Sequence, residues 1–261
     1  MYKMIPVLGT AVVNGAAWLQ QQISSIDFPV QRYVVVNNSG DRNIAQQVRD
    51  IAGTPNDLVH ERCVVDLPGN IGCAAAWNLM IKSTMMSPYW VICNHDVSFV
   101  PGVLEAIHQH MSDANTGLVH GSSGDFGVGS WDLFAISDRV IASHGLFDEN
   151  FYPAYVEDLD YLMRLMNQPV PRVMLDMPYL HGGSTNDDYE KTGSQSLRED
   201  NELKQRVDHA RWINENRYMV EKWGPDWRWV MINKTPWNRS DNAQGQWIWD
   251  LDFVRSKYTG F

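Results

Sequence analysis

The sequence predicts an α/β protein: a mostly parallel central sheet flanked by helices, with a helical, tryptophan-rich C-terminal extension. Three observations carry this expectation. Between Ile5 and Met111, apolar strand-like runs alternate four times with amphipathic helical patterns, as βαβ units do. Three of those strand candidates end in polar or glycine-bearing turns, Asn37-Asn38-Ser39-Gly40, Gly69-Asn70-Ile71-Gly72 and Asn94-His95-Asp96. In open α/β sheets the carboxyl ends of strands are where ligands bind. From about Ser194 the chain changes character, into a long polar helical stretch and then a segment dense in Trp.

Ile5 to Val13 reads as the first strand, with Asn14 placed to cap the following helix, whose Trp18, Leu19, Ile23 and Ile26 share one face. Arg32 to Val36 is the second strand. Asp41 is expected to cap a helix in which Ile44, Val48 and Ile51 recur at helical spacing. Cys63 to Leu67 is a short third strand, and a helix carrying Ala74, Ala75, Ala76, Trp77 and Met80 stops before Pro88. The fourth strand is Tyr89-Trp90-Val91-Ile92-Cys93, a run apolar enough to be buried on both faces. Pro101 suits the first position of the next helix, which turns Val103, Leu104, Ile107 and Met111 inward.

The second half adds a strand at Leu118-Val119-His120, a Gly/Ser-rich loop from Gly121 to Gly129, and a strand at Trp131 to Ile136 followed by a Ser137-capped helix. The loop is a lid or acceptor wall in this reading. Glu157 and Asp158 fall in the first turn of a helix striped by Leu159, Leu162, Met163 and Met166, where a carboxylate also favours the helix dipole. Arg172 to Leu175 is a last strand before Tyr179-Leu180-His181-Gly182-Gly183-Ser184. One polar helix is expected from Ser194 to Trp223. The rings of Trp227, Trp229, Trp237, Trp247 and Trp249 beyond it suit a wrap on the core, a sugar-stacking platform or a subunit contact.

Composition narrows the function. The 261 residues carry 31 acidic and 21 basic side chains, a formal net charge of −10, and 44% apolar residues. That balance argues against broad adhesion to nucleic acid or anionic lipid. Cys63, Cys73 and Cys93 have no metal-type spacing and read as reduced core residues of a cytoplasmic protein. No secretory leader is expected, so the acceptor patterns at Asn233 and Asn238 are read as chance. No apolar run reaches the roughly 18–20 residues that span a membrane. A Gly-x-Gly-x-x-Gly after the first strand and a Gly-Lys-Ser/Thr loop are both missing, which disfavours a dinucleotide fold or a P-loop.

Taken in order, these motifs resemble those of GT-A glycosyltransferases, nearest the family-2-like inverting enzymes, over roughly Pro6 to Ser184. The first strand with Asn14 resembles the opening donor-binding strand. Val34 to Gly40 resembles the second, with Asn37 where the family usually has Asp. Asn70-Ile71-Gly72 through Asn78 resembles the helix start beside the nucleotide. Cys93-Asn94-His95-Asp96-Val97 resembles the Asp-x-Asp metal motif. Phe147-Asp148-Glu149 through Glu157-Asp158-Leu159-Asp160, with Arg164, resembles the acceptor-side segment.

The resemblance implies a catalytic domain over residues 1–193, with a nucleotide-sugar half at 1–116 and an acceptor half at 117–193. Residues 194–261 form the extension packed on it. It implies donor contacts from Thr10, Val12, Asn14, Asn37, Asn38, Asn70, Gly72, Asn78 and the triplet Asn94, His95 and Asp96. His95 itself would point away on strand alternation. Asp96 and His181 are the expected ligands of Mn2+ or Mg2+, and Asn94 replaces the acid that usually meets the ribose. Asp158 is the expected general base, with Glu157 close behind. Ser130, Trp131 and Asp160 are placed on the acceptor side, Asp160 also as a helix support.

The function expected is transfer of a sugar from a nucleoside-diphosphate sugar, UDP favoured, to a hydroxyl of a glycan or protein, with oligomerisation through the Trp-rich segment left open. Two rivals stand beside it. A nucleotidyltransferase would usually carry a basic, Gly-rich loop after the first strand, and Gly9 to Asn14 has no basic residue. A non-catalytic nucleotide- or sugar-binding module would rest on the Trp-rich tail.

Overall fold

The computed structural model describes residues 3–121, 130–185 and 194–228. Its larger sheet contains β1 (Ile5–Val12), β2 (Val30–Asn37), β3 (Val59–Asp66), β4 (Tyr89–Asn94), β6 (Leu118–Gly121), β7 (Ser130–Ser137) and β8 (Arg172–Met174). The order is β3-β2-β1-β4-β7-β6-β8. The first four strands are parallel, β7 runs antiparallel to both β4 and β6, and β8 is parallel to β6. The parallel half is the one that strand–helix alternation predicts. Helices α1 (Ala16–Ser24), α2 (Arg42–Ala52) and α3 (Cys73–Ser83) connect these strands, and α4 (Val103–Ser112), α5 (Asp138–His144) and α6 (Glu157–Asn167) follow.

Apolar clusters cover both faces of the sheet. Leu8, Val35, Val91 and Leu133 belong to one; Val34, Trp90, Ile92 and Phe134 belong to the other. Successive residues of one strand therefore face opposite clusters, which is why Trp90 to Cys93 is apolar without alternation. Register brings the strand ends level: Ala11 pairs with Asn94, Val12 with Asn37, and Asn37 with Asp66. The polar turns thus share one edge.

A second sheet of three short strands lies at that edge: β5 (Val97–Ser98), β9 (Leu180–His181) and β10 (Ser184–Thr185). Val97 pairs with His181, and the Gly182 N–H donates to the Asp96 carbonyl at 2.9 Å. These bonds carry His181 across 85 positions of sequence to Asp96.

Several local expectations change. Gly15, at φ 61°, is the N-cap of α1, and Asn14 donates instead to the Ser196 carbonyl at 3.0 Å. The α4 helix starts at Val103 behind Gly102, which leaves Pro101 in the turn before it. Asp41 does cap α2, accepting from the Asn43 and Ile44 N–H groups at 2.7 and 3.1 Å. Cys63 is exposed because β3 is an edge strand; Cys73 is half-buried and only Cys93 is a core thiol.

The polar C-terminal stretch is not one helix. It forms α7 (Gln195–Glu199), α8 (Asn201–Ile213), a π-turn at Asn214–Tyr218 and α9 (Met219–Trp223). Asp200 separates the first two in an extended conformation and accepts from the Leu203 N–H at 2.9 Å, a side-chain cap that competes with helix continuation. Of the Trp-rich segment, Trp227 is buried and donates to the Glu215 carbonyl at 3.0 Å. Trp229, Trp237, Trp247 and Trp249, and the loop at 122–129, lie outside the described residues. Among the described residues, no helix is long and apolar enough to cross a membrane.

Candidate active site

The strand ends open onto a cavity of about 690 Å³. One wall is the end of β4. Asp96 is buried there, with Oδ1 3.4 Å from His181 Nε2 and Oδ2 accepting the Gln195 N–H at 2.8 Å. On the far side of the imidazole, Nδ1 donates to Asp132 Oδ2 at 2.8 Å. Asp132 is itself held by the Tyr179 hydroxyl at 2.5 Å and by Ser130. The Asn94 amide nitrogen lies 3.5 Å from His181 Nε2. Burial alone would lower the His181 pKa, but the two flanking carboxylates outweigh it and hold it up to about 10. Burial would raise the Asp96 pKa; His181, His95 and the Gln195 N–H outweigh that and lower it.

Among the described residues, no group of three or more His, Cys, Asp or Glu side chains forms a ready-made metal cage. A divalent ion carried by a diphosphate does not need one, since it takes one or two protein ligands and completes its shell with phosphate and water. Asp96 fits that demand as a carboxylate, and His181 would fit it with Nε2 deprotonated, the ion taking the place of the proton that faces Asp96. The carboxylate behind His181 is the arrangement that fixes a ligating imidazole and raises its basicity.

The opposite wall is the start of α6. Tyr155 and Val156, just before it, have φ of 72° and 81°. A β-branched residue in that region is strained, at roughly 1–3 kcal/mol. Tertiary contacts hold the turn: Val156 is buried beside Phe151, Leu162 and Met219, and Asn214 donates to the Tyr155 carbonyl at 3.4 Å. The turn presents Glu157 and Asp158 to the cavity. Asp158 Oδ1 accepts the Leu159 N–H at 2.8 Å. Glu157 is 4% exposed, and its Oε2 has no hydrogen-bond partner among the described residues. Burial and then the neighbouring Asp158 push the Glu157 pKa up to about 8. Burial raises that of Asp158, while the helix N–H groups and Arg211 pull it back.

Between the walls stand Asn38 and Asn70. The Ile71 N–H donates to Asn38 Oδ1 at 2.8 Å and the Gly72 N–H to Asn70 Oδ1 at 2.8 Å. Gly72 has φ 92°, and a Cβ there would lie 3.0 Å from the Tyr152 ring and 3.2 Å from the Pro153 carbonyl. A smaller cavity of about 590 Å³ adjoins, sharing Val13, Asn70, Pro153 and Leu203 and adding Asn14, Tyr152 and Arg206.

Of the expected site residues, Asn38, Asn70, Asn94, His95, Asp96, Ser130, Trp131, Glu157, Asp158 and His181 line the main cavity, and Asn14 the smaller one. His95 does face the cavity side, contrary to strand alternation, because β4 has ended at Asn94. Others lie behind the walls. Thr10 is buried and donates to the Cys93 carbonyl at 3.0 Å, and Val12 is core. Asn37 is buried, donating to Asp66 at 2.8 Å. Asn78 is buried and spans the Phe147 carbonyl and Glu149, each at 2.8 Å. Gly72 shapes the loop.

Asp160 is fully buried with Arg164 at 3.1 Å and Lys222 at 2.6 Å, so it supports α6 and does not line the cavity. Asp132, Cys73, Gln195 and Arg211 also belong to the site or its immediate support and were not anticipated. For Asp132 there was a signal, an acid in the middle of a buried strand; α7 and α8 reach the cavity only through the chain's path, which left no local mark.

No family model matches the chain. Solved structures do. The chain superposes on TarS 1-349 of S. aureus in complex with UDP-GlcNAc with a TM-score of 0.53 and 14% identity, covering 67% of this chain and 57% of that one. It superposes on GalNAc-T7 with UDP, GalNAc and Mn2+ with a TM-score of 0.52 and 10% identity, over 66% and 42%. A 32-residue stretch, 12% of the chain, is 59% identical to a galactofuranosyl glycosyltransferase of Leishmania donovani, of which it covers 7%. The chain therefore spans less than two thirds of the length of each. At this level of identity the likeness defines the fold: the α/β fold of the GT-A glycosyltransferases.

Proposed function

We propose that the chain is a glycosyltransferase that moves a sugar from a nucleoside-diphosphate sugar, with UDP favoured, to an acceptor hydroxyl with inversion at the anomeric carbon. The observation that carries this reading is the single cavity with Asp96 and His181 on one wall and Glu157 and Asp158 on the other. The neighbours solved with UDP-GlcNAc, or with UDP, GalNAc and Mn2+, support the donor class.

The nucleoside occupies the smaller cavity, where Asn14 Oδ1 is buried and unpartnered among the described residues. Asn38 and Asn70 hold the loop against it. Asp96 and His181 would hold Mn2+ or Mg2+ on the diphosphate, where the ion supplies neutralisation of the leaving group's developing charge. Asp158 takes the proton from the acceptor hydroxyl. Its carboxylate form is the one that the Leu159 N–H favours, whereas the proton is retained by Glu157. Ser130 and Trp131 frame the acceptor side.

Calorimetric titration with UDP, GDP and TDP, each with Mn2+ and with EDTA, tests the reading. Binding of one nucleotide that is lost in Asp96→Ala supports both donor class and metal role. Binding indifferent to EDTA would remove the metal and leave the donor site. Absence of binding by all three would end the glycosyltransferase reading, and binding without donor hydrolysis or transfer would return the chain to a sugar-nucleotide-binding module.

A further inference from the structure

The start of α7 reaches Asp96 from 99 positions away in sequence, and it does so with main chain. Gln195 is the first residue of α7, so its N–H has no partner within the helix, and Ser194 before it supplies no side-chain cap. The Asp96 carboxylate takes that place, with Oδ2 accepting the Gln195 N–H at 2.8 Å. The Gln195 side chain ties the same strand end a second way. Its Nε2 donates to the Gly182 carbonyl at 3.1 Å, and the Gly182 N–H donates to the Asp96 carbonyl at 2.9 Å. Asp96, Gln195 and Gly182 are thus joined in a closed circuit. Farther along α7, Asn14 donates to the Ser196 carbonyl at 3.0 Å and Trp18 to Glu199 at 2.8 Å.

Gln195 is buried and does not line the cavity, whereas Asp96 does. The bond therefore acts on Asp96 and not on a ligand. The carboxylate torsion of an Asp is broad and roughly two-fold, so a carboxylate in a cavity wall can turn either oxygen outward. The Gln195 N–H removes that freedom. It occupies Oδ2 and leaves Oδ1, 3.4 Å from His181 Nε2, as the oxygen offered to an ion. A bond from an N–H to a carboxylate also favours the anion, the form in which the group can ligate.

We propose that Gln195 is a positioning residue of the donor site, whose main-chain N–H fixes Asp96 so that Oδ1 alone faces the ion beside His181. This rests on the glycosyltransferase reading above and on the metal role given there to Asp96. It makes the C-terminal extension part of the donor site and not only a cover for the core. Outer hydrogen bonds that orient a ligand matter to the ion almost as much as the ligand does.

The test deletes one hydrogen atom. Proline suits the first position of a helix, and Ser194, at ψ 113°, already has the extended backbone that precedes a proline. Gln195→Pro removes the N–H and sets a ring carbon against Asp96. Gln195→Ala keeps the N–H and removes the side-chain bond to Gly182. Glu199→Ala frees the far end of α7 from Trp18. Affinity for the nucleotide that binds among UDP, GDP and TDP is measured with Mn2+ and with EDTA, for the whole chain and each variant, after a check for an unchanged circular-dichroism spectrum. The readout is the gain in affinity due to the metal. Gln195→Pro is expected to cut that gain about 10–100-fold while affinity in EDTA moves by less than about twofold. Gln195→Ala is expected to keep most of the gain, and Glu199→Ala to lose about threefold of it; should Gln195→Pro not fold, an unchanged gain in Glu199→Ala overturns the inference. A wild-type chain that binds none of the three nucleotides ends the parent reading. Wild-type binding indifferent to EDTA removes the metal role, and this inference with it, and leaves the donor site. With a metal gain in the wild type, three results overturn this inference alone: an unchanged gain in Gln195→Pro, an equal loss with Mn2+ and with EDTA, as a merely structural role for α7 would give, or an equal loss of the gain in Gln195→Ala, which would assign the effect to the side chain.

Discussion

Asp158 and Glu157 show how far two carboxylates of the same helix turn can differ. Burial raises both pKa values; on Asp158 the helix N–H groups and Arg211 pull it back, whereas on Glu157 the charge of Asp158 pushes it further, up to about 8. Asp158→Asn is accordingly expected to lower kcat by about 10²–10⁴-fold with nucleotide affinity unchanged. Full transfer activity in that variant would remove the base assignment. Glu157 also has a stability consequence. Its folded pKa of about 8 lies above its ordinary value of 4.5, so the folded chain binds the extra proton between those values and stability falls as pH rises through that window. Each unit is worth about 1.4 kcal/mol. Glu157→Gln removes this loss: its melting temperature should gain on that of the wild type between pH 5 and pH 8.5. Parallel pH profiles for the two proteins would refute the shifted titration.

At the scale of elements, the site depends on three junctions. The β5–β9 pairing delivers His181 to Asp96. The Gly72 turn sets α3 against the loop before α6; Gly72→Ala places a Cβ against Tyr152 and Pro153 at φ 92°, and should cost more than about 1 kcal/mol in urea unfolding. A Gly72→Ala protein as stable as wild type would show that the turn is not under that constraint. The Asp200 cap separates α7 from α8 and lets α7 lie across the ends of β1 and β4, where Gln195 meets Asp96, Ser196 meets Asn14, and Glu199 accepts from Trp18 at 2.8 Å. Asp200→Ala is expected to cost about 1 kcal/mol, read as a lower denaturation midpoint at constant m.

For the whole molecule, the C-terminal helices are joined to the core by a buried ionic knot. Lys222 meets Asp148 at 2.7 Å and Asp160 at 2.6 Å, the Tyr218 hydroxyl donates to Asp148 at 2.6 Å, and Trp223 donates to Asp160 at 2.8 Å. Removing one partner strands buried charge, so Lys222→Ala should destabilise the chain by about 3–5 kcal/mol. The loss should reach α6 as well as α9 in hydrogen exchange, because Asp160 stands one turn from Glu157. Protection lost in α9 alone would mean that the knot does not couple the two helices.

Much of this was legible in sequence because it is local or periodic. Apolar runs and helical stripes mark β1 to β4 and α1 to α4, polar turns mark the binding edge, and Asn94-His95-Asp96 and Glu157-Asp158 stand where their strand and helix end or begin. Cavity-facing asparagines could not be told from buried ones: Asn38 and Asn37 are neighbours, yet Asn38 lines the cavity while Asn37 is spent on Asp66. The same holds for Asp160, whose partners Arg164 and Lys222 are set by where α9 docks. Sequence by itself determined the α/β class and the strand-end position of the chemistry, since these follow from propensity and period along the chain. Only the tertiary structure decided that Asp132 backs His181, that Cys73 and Glu157 line one cavity and that α7 lies across Asp96, because each brings together segments far apart in sequence by register and packing.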